Sequence, residues 1–459
     1  MRSVIVIGGG ISGLAAAWQL RGRADVTVLE AHTRVGGKLR TGTLAGVPVD
    51  EGAESIMAMR PEAVELAEAV GLGPSLVDPA VAPVTVWTNG ALRPLPPGHV
   101  MGIPADPEAL AGTGLLTDAG LDRLRQEELL PAPPVTEDVT VASYLEQRLG
   151  REAVDRLVEP MLGGVYAGST DRLSLRSAMP PVAALAARGG SLLAALRDRP
   201  KPAPGTPRPA FVRGVVGGTG RLPAAVAEAS GARILTGTTA TSLERTASGR
   251  WRVEARTGDG PLLIEADAVV LGLPAYAAAP LLRPHSTAAE VELAAIQHAG
   301  SAVVTMAFAR DRATRLPEGN GFLVPPVDGH AVKAATFLSN KWAWQADAAP
   351  GVFVLRASIG RLGEEHRLSL PDRHLVRTAL AELHHAIGPI GDPVAARVTR
   401  WPQALPQYGV GHAARVARIR EAVEALPGLE VCGASYEGVG VAACVATGLS
   451  AGHRIAESR

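Results

Sequence analysis

Apolar residues open the chain as a short run, Val4–Ile7, which then gives way to a glycine-rich turn. Beyond the turn, Leu14, Ala17 and Trp18 recur at helical spacing as far as Leu20, and a second apolar run, Val26–Leu29, stops at Glu30. Unbroken apolar runs suit strands buried on both faces, so this opening predicts a strand, a helix and a second parallel strand. Farther on, Val141, Tyr144, Leu145, Val154, Leu157, Val158 and Leu162 keep helical spacing through "TVASYLEQRLGREAVDRLVEPMLGGVYAG". From Phe211 the pattern turns to strands: "RILTGTTATSLER", "WRVEAR" and "EADAVVLGLP", then Ala302–Phe308, Phe322–Val324, Ala334–Phe337 and Val352–Ile359. The last thirty or so residues, "GLEVCGASYEGVGVAACVATGLSAGHRIAE", predict a strand, a glycine-rich turn and a closing helix. No fixed-period repeat runs along the chain.

Proline clusters punctuate this pattern at "RPLPPGHVMGIP", "PAPPVTED" and "RPKPAPGTPRPA", the last (Arg199–Ala210) being the clearest linker. With 459 residues there is room for two or three domains. The 45 basic and 45 acidic residues cancel, which points away from nucleic acid as a partner. The N-terminal strand begins without the apolar leader of an export signal, and the longest apolar run, "AVVLGLPAYAAAPLL", is too short to span a bilayer. A cytoplasmic protein is expected, with room for weak membrane association. Cys432 and Cys444 form no metal-binding pattern and read as buried thiols.

Gly8, Gly10 and Gly13 make GxGxxG where the first strand must turn into the helix. The first glycine permits the turn, the second admits a pyrophosphate close to the backbone, and the third lets helix and strand pack. The N–H groups of Gly9, Ile11 and Ser12 belong to the same turn, and Glu30 stands where a carboxylate would hold a ribose hydroxyl pair. A second glycine pair, Gly36 and Gly37 in "RVGGKLRT", offers another stretch of backbone to the pyrophosphate. Together with the C-terminal glycine-rich turn it favours FAD over NAD.

"IGGGISGLAAAW", "VDEGAES", "EPMLGGVYAG", "GGTGRLP", "WPQALPQYGVGH" and "GASYEGVGVAACVATG" make the chain resemble the flavin amine oxidase superfamily. Within it the chain is similar to the bacterial porphyrinogen oxidases, which oxidise coproporphyrinogen III or protoporphyrinogen IX on the way to haem. The resemblance implies that Gly8–Gly13 line the FAD pyrophosphate, with Glu30 at the ribose and Lys38 at the edge of the same site. It implies that Gly52, Ala53, Glu54 and Ser55 pass beside the flavin and that Ala240 meets the adenine. Ala434, Val439, Gly440 and Val441 would close over the pyrophosphate and ring, with Trp401 packed nearby. Arg60 is the candidate for a substrate propionate. The flavin itself performs the oxidation in this family, so no catalytic side chain and no metal site are expected. His412 falls in a family signature and reads as structural support; His384 and His385 read as solvent-facing.

The implied fold is α/β: a Rossmann-like FAD-binding domain with a mixed-sheet substrate domain and a helical insertion. The expected boundaries are residues 1–87, 211–273 and 400–459 for the discontinuous FAD domain, 106–200 for the helical domain and 274–399 for the substrate-binding sheet. The implied reaction takes a porphyrinogen through three two-electron oxidations with O2 as acceptor, giving H2O2. Coproporphyrinogen III is favoured over protoporphyrinogen IX, and transient contact with the next haem-pathway enzyme is compatible with this role. Two rivals stand beside it. An amine oxidase would carry a lysine in "IQHAGSAVVTMAF", which has none, and paired aromatics where Tyr436 stands alone. A flavin-bearing binding protein without turnover would not need the "SYEGVG" segment or the long sheet.

Overall fold

A computed structural model describes residues 1–199, 210–313 and 315–458. The expected linker at 199–210 lies, but for its two end residues, outside the described residues. Five parallel strands form the first sheet in the order Arg233–Leu235, Ala24–Leu29, Arg2–Ile7, Ala268–Leu271 and Leu429–Val431. The chain starts in the middle, winds outward to one side, then returns to wind outward on the other. The strand order therefore reverses between Arg2–Ile7 and Ala268–Leu271, where a doubly wound sheet opens its ligand crevice.

The helix Ile11–Gln19 leaves the first strand through Gly8, whose φ of +107° places it in the region that favours glycine. The approach there is also tight: a Cβ on Gly8 would stand 2.4 Å from the carbonyl oxygen of Gly272, and one on Gly13 would stand 2.0 Å from that of Gly8. The closing helix, Val441–Glu457, lies directly on this first helix. Cys444, Gly448 and Gly452 repeat every four residues and so share one face. A Cβ on Gly448 would stand 2.1 Å from the Ser12 carbonyl, and one on Gly452 would stand 2.7 Å from that of Ala16. Arg2 ties the two chain ends further by donating 2.9 Å hydrogen bonds to the Ile455 carbonyl and the Ser458 hydroxyl.

A second, mixed sheet of seven strands runs Ala395–Pro406, His298–Ala309, Val352–Ile359, Val332–Thr336, Gly321–Leu323, Thr85–Thr88 and Ala91–Pro94. One face buries Val304, Met306, Phe308, Leu355 and Ala357 against Leu375, Ala379 and Leu383 of the helix Asp372–Ile387. Two sequence-derived boundaries fall inside its strands, at residue 87 in Thr85–Thr88 and at residue 400 in Ala395–Pro406. Thr85–Pro94 closes the edge of the sheet, where a proline-rich continuation is tolerated because no further strand needs its N–H groups.

A helical region with its own core, built from Leu121, Leu145, Leu157, Leu162, Val182 and Leu193 among others, packs against the seven-stranded sheet. The expected helical stretch breaks at Gly150 (φ +88°) into Val141–Leu149 and a second run ending in Glu159–Tyr166. Buried Arg148 donates from Nε to Glu127 at 2.7 Å, and Glu127 also accepts from the Leu192 N–H at 2.9 Å, which fixes the start of the helix Leu192–Arg197. A three-stranded antiparallel sheet, Thr239–Arg245, Trp251–Thr257 and Gly260–Ala266, completes the fold. Among the described residues no helix is long and apolar enough to cross a membrane.

The contact between the terminal helices is testable. Gly448→Val should destabilise the protein by about 1–3 kcal/mol, because backbone rather than a yielding side chain meets the new atoms. Thermal melting followed by circular dichroism should show a lowered midpoint, whereas Gly258→Ala, which faces open space, should leave it unchanged.

Candidate active site

The helix Ile11–Gln19 has Gly10 at its N-cap, and the helix Val441–Glu457 has Gly440. Neither glycine offers a side chain to the first-turn N–H groups, and a Cβ on either would meet nothing within 4 Å. Two helix starts without side-chain caps thus face open space, and each favours an anionic or electron-rich group of a ligand. Gly9 sits between them and Glu30. Its N–H donates to the Glu30 carboxylate at 2.8 Å, and the His32 N–H donates to the other carboxylate oxygen at 2.8 Å. The buried carboxylate is thereby aimed along the crevice.

The second glycine pair folds onto the first turn. The Gly36 N–H donates to the Gly9 carbonyl at 2.7 Å, and Gly36 and Gly37 have φ of +107° and +54°. Arg34 holds this loop open by donating to the carbonyls of Val35 at 3.0 Å and Gly37 at 2.9 Å. Ala240 joins the same end, since the Gly237 and Thr238 N–H groups just before it donate to the carbonyls of His32 and Glu30 at 2.8 Å.

At the other end of the crevice Lys38 turns the chain toward the seven-stranded sheet. A Cβ on Gly52 would stand 2.0 Å from the Lys38 carbonyl and 3.5 Å from the Trp401 ring. Trp401 donates its indole N–H to the Glu51 carbonyl at 2.8 Å, and Arg356 donates to the Gly52 carbonyl at 2.9 Å. The Ala53 carbonyl accepts from the Thr219 hydroxyl at 2.7 Å. Ser55 leads directly into the short strand Ile56–Met57. The Lys38 amine pairs with no carboxylate among the described residues, and burial pushes its pKa down. His298, in the electrostatic field of Lys38, is pushed down to about 4 by burial; its Nδ1 lies 3.0 Å from the Ile296 carbonyl, while buried Nε2 has no partner.

The closing turn is held by Tyr408, which local pattern did not single out, and by His412, which has the supporting role expected of it. The Tyr408 hydroxyl donates to the Ala434 carbonyl at 2.5 Å and accepts from the Gly438 N–H at 2.8 Å, so one phenol sets the shape of 434–438. His412 stacks on Tyr408 at 3.9 Å between ring centroids, and its Nε2 lies 3.2 Å from the Tyr436 carbonyl. Burial pushes its pKa down to about 4, as befits a neutral packing group. Val439 packs on the core of the helical region and Val441 on the side chains around the first helix, leaving Gly440 between them. Arg60 reaches this turn, with Nη1 3.8 Å from where a Gly438 Cβ would be, and pairs with Glu62 at 2.8 Å. Cys432 and Cys444 are buried free thiols.

The chain matches the family model described as "Flavin containing amine oxidoreductase" over residues 11–456. It belongs to that family. The chain is 36% identical over 461 residues to the coproporphyrinogen III oxidase of Mycobacterium tuberculosis, covering 97% of this chain and 95% of that protein. It is 33% identical over 471 residues to the coproporphyrinogen III oxidase of Bacillus subtilis, with 98% and 97% covered. A solved structure from Exiguobacterium sp. 255-15 superposes with a TM-score of 0.89 at 32% identity, covering 100% of this chain and 99% of that one. The cofactor of this flavoprotein is FAD. The two uncapped helix starts, the aimed Glu30 carboxylate and the glycines that leave open space fit such an elongated diphosphate.

Glu54 belongs to this region through its backbone, but its side chain points away into the sheet. Buried Glu54 pairs with Lys341 at 2.5 Å, accepts from the Trp342 indole at 3.1 Å and lies 3.8 Å from Arg356. Burial alone would raise its pKa; Arg356 and Lys341 outweigh that and hold it at about 2. The carboxylate therefore stabilises the fold above its unfolded value of about 4.5 and loses that contribution as pH falls toward 2. Relative to Glu54→Gln, the wild type should lose about 2 kcal/mol between pH 6 and pH 3, measured by urea unfolding at each pH.

Proposed function

We propose that this protein oxidises coproporphyrinogen III to coproporphyrin III in haem biosynthesis, through three two-electron steps with O2 as acceptor and H2O2 as by-product. The observation that carries this reading is the full-length similarity to coproporphyrinogen III oxidases. It is joined to a fold in which the first and last helices pack backbone to backbone and the polar face of the large sheet reaches the carbonyls of Glu51 and Gly52. FAD, when bound, would supply the oxidising power for each two-electron step.

The residues of the chain have other work. Gly10, Ile11, Ser12 and Gly13 present backbone to the pyrophosphate, while Gly8 and Gly9, whose N–H groups donate to the Leu29 carbonyl and the Glu30 carboxylate, shape the turn that lets it approach; Gly440 and Val441 present a second set of donors. Glu30 binds ribose hydroxyls, and the backbone at Ala240 meets the adenine. Lys38, Gly52, Ala53 and Ser55 border the flavin end, with Trp401 packed behind Gly52 and with Ala434 and Val439 in the closing turn. Glu54 acts at a distance, bracing the segment through Lys341 and Trp342. Arg60 stands at the rim of the closing turn, where it can exchange its Glu62 partner for a substrate propionate. A cytoplasmic location accords with the absence of a membrane-crossing helix among the described residues. The domain division belongs to the same reading, the sheet and helical regions walling a porphyrinogen against the FAD-binding part.

The amine-oxidase alternative would need an amine in the place of the tetrapyrrole. Anaerobic addition of coproporphyrinogen III should bleach the flavin absorbance. Readmitting air should then give coproporphyrin fluorescence and peroxide, while polyamines and aromatic amines leave the flavin oxidised. Bleaching by amines alone would overturn the reading. Glu30→Ala should weaken FAD retention by about 10–100-fold, since a charge-assisted pair of hydrogen bonds to the ribose is lost, as measured by flavin release on dilution.

A further inference from the structure

Strand pairing decides which side chains look away from the apolar core of the seven-stranded sheet. Ala302, Val304, Leu355, Ala357 and Ile359 belong to that core. The residues alternating with them share the opposite face with their cross-strand partners: Ser301 with Trp401, Val303 with Thr399 and Ser358, and Thr305 with Arg397 and Arg356. This is the face from which Trp401 and Arg356 reach the carbonyls of Glu51 and Gly52. An irregularity between Val332 and Ala334 brings Lys333 to it as well. The Lys333 ammonium crosses the intervening strand and donates to the Ser301 hydroxyl and the Gly360 carbonyl, both at 2.8 Å.

Lys333 is only 5% exposed, yet both its acceptors are neutral. Among the described residues it forms no ion pair with a carboxylate, and its third N–H has no acceptor there. Arg361, its cationic neighbour, is likewise buried and donates to the carbonyls of His330 and Val324, with Glu364 at 3.7 Å. Burial and the neighbouring Arg361 push the Lys333 pKa down to about 7, and Glu364 opposes them only in part. Glu159, in the field of Arg361, is itself pushed toward its neutral form by burial. The helix Glu159–Tyr166 packs over the strand that carries Lys333. On that helix Gly163 is buried, and a Cβ there would meet nothing within 4 Å. A buried ammonium held only by neutral acceptors is a site prepared for an anion.

We propose that Lys333, steadied by Ser301, receives a carboxylate of the substrate and selects porphyrinogens by their acidic side chains. The inference rests on the porphyrinogen reading above and adds to it a second cation on a different wall from Arg60. A tetrapyrrole with several carboxylates can engage both, which a slender amine cannot.

Wild-type and Lys333→Met holoenzymes, matched for flavin content by absorbance, would be titrated with coproporphyrin III and with its tetramethyl ester by fluorescence quenching. The expected result is a Kd for the acid raised by about 10–100-fold in Lys333→Met, the ester staying within about twofold. KM for coproporphyrinogen III should rise more than kcat falls, and Lys333→Arg should restore most of the affinity. An unchanged Kd for the acid, or an equal loss for acid and ester, overturns the assignment. If Lys333→Met fails to hold flavin, Lys333→Gln takes its place; loss of flavin in both makes the lysine structural and overturns it too. A wild type that neither binds nor oxidises the porphyrinogen refutes the substrate reading itself, whereas normal wild-type turnover with an indifferent Lys333→Met refutes only the role of Lys333.

Discussion

The backbone contact between the first and last helices is the constraint on which the rest depends. Gly448 and Gly452 bring the closing helix within reach of the Ser12 and Ala16 carbonyls, where no larger residue fits without displacing backbone. That closeness fixes the parallel register of the two helices, so that the closing helix, uncapped at Gly440, starts more than a turn ahead of the first helix, uncapped at Gly10. Each N-terminus offers a partial positive charge to an anionic or electron-rich group of a ligand. A dinucleotide site assembled from residues more than four hundred positions apart thus relies on close packing between small residues.

A second organising feature is the inequality of the two faces of the seven-stranded sheet. One face is a conventional apolar core against the helix Asp372–Ile387. The other carries Arg397, Thr399, Trp401, Ser301, Thr305, Arg356, Ser358 and Lys333, and turns toward the segment Glu51–Glu54. Polar groups on a covered face must find partners. Arg356 and Trp401 find backbone carbonyls and Glu54 finds Lys341, and these links join the sheet to the FAD-binding segment. Lys333 finds only neutral acceptors, which is why its chemistry points outward to a ligand.

Much of this could be read along the chain. Val4–Ile7, the turn at Gly8–Gly13 and Val26–Leu29 lie where the pattern placed them, because a buried parallel strand and a phosphate-binding turn are local statements. Val352–Ile359 matches its strand residue for residue. The edge hairpin Thr85–Pro94 was harder, since the proline cluster that begins at Pro94 marks a turn as readily as an edge strand. Tyr408 lay within a quoted signature, but nothing local says that its hydroxyl will bridge Ala434 and Gly438. Glu54 was legible as part of the segment and not as an ion pair, because Lys341 is 287 residues away in sequence.

By itself the sequence determined the strand–turn–helix opening, the acid after the second strand and the glycine-rich ending, since spacing and residue size decide these within a few positions. Only the tertiary structure decided that the ends would pack backbone to backbone, which face of the sheet would be polar, and that a lysine at a strand irregularity would reach Ser301 two strands away. Those outcomes depend on register and on contacts between distant segments. A one-residue shift in register would have turned the same side chains to the other face.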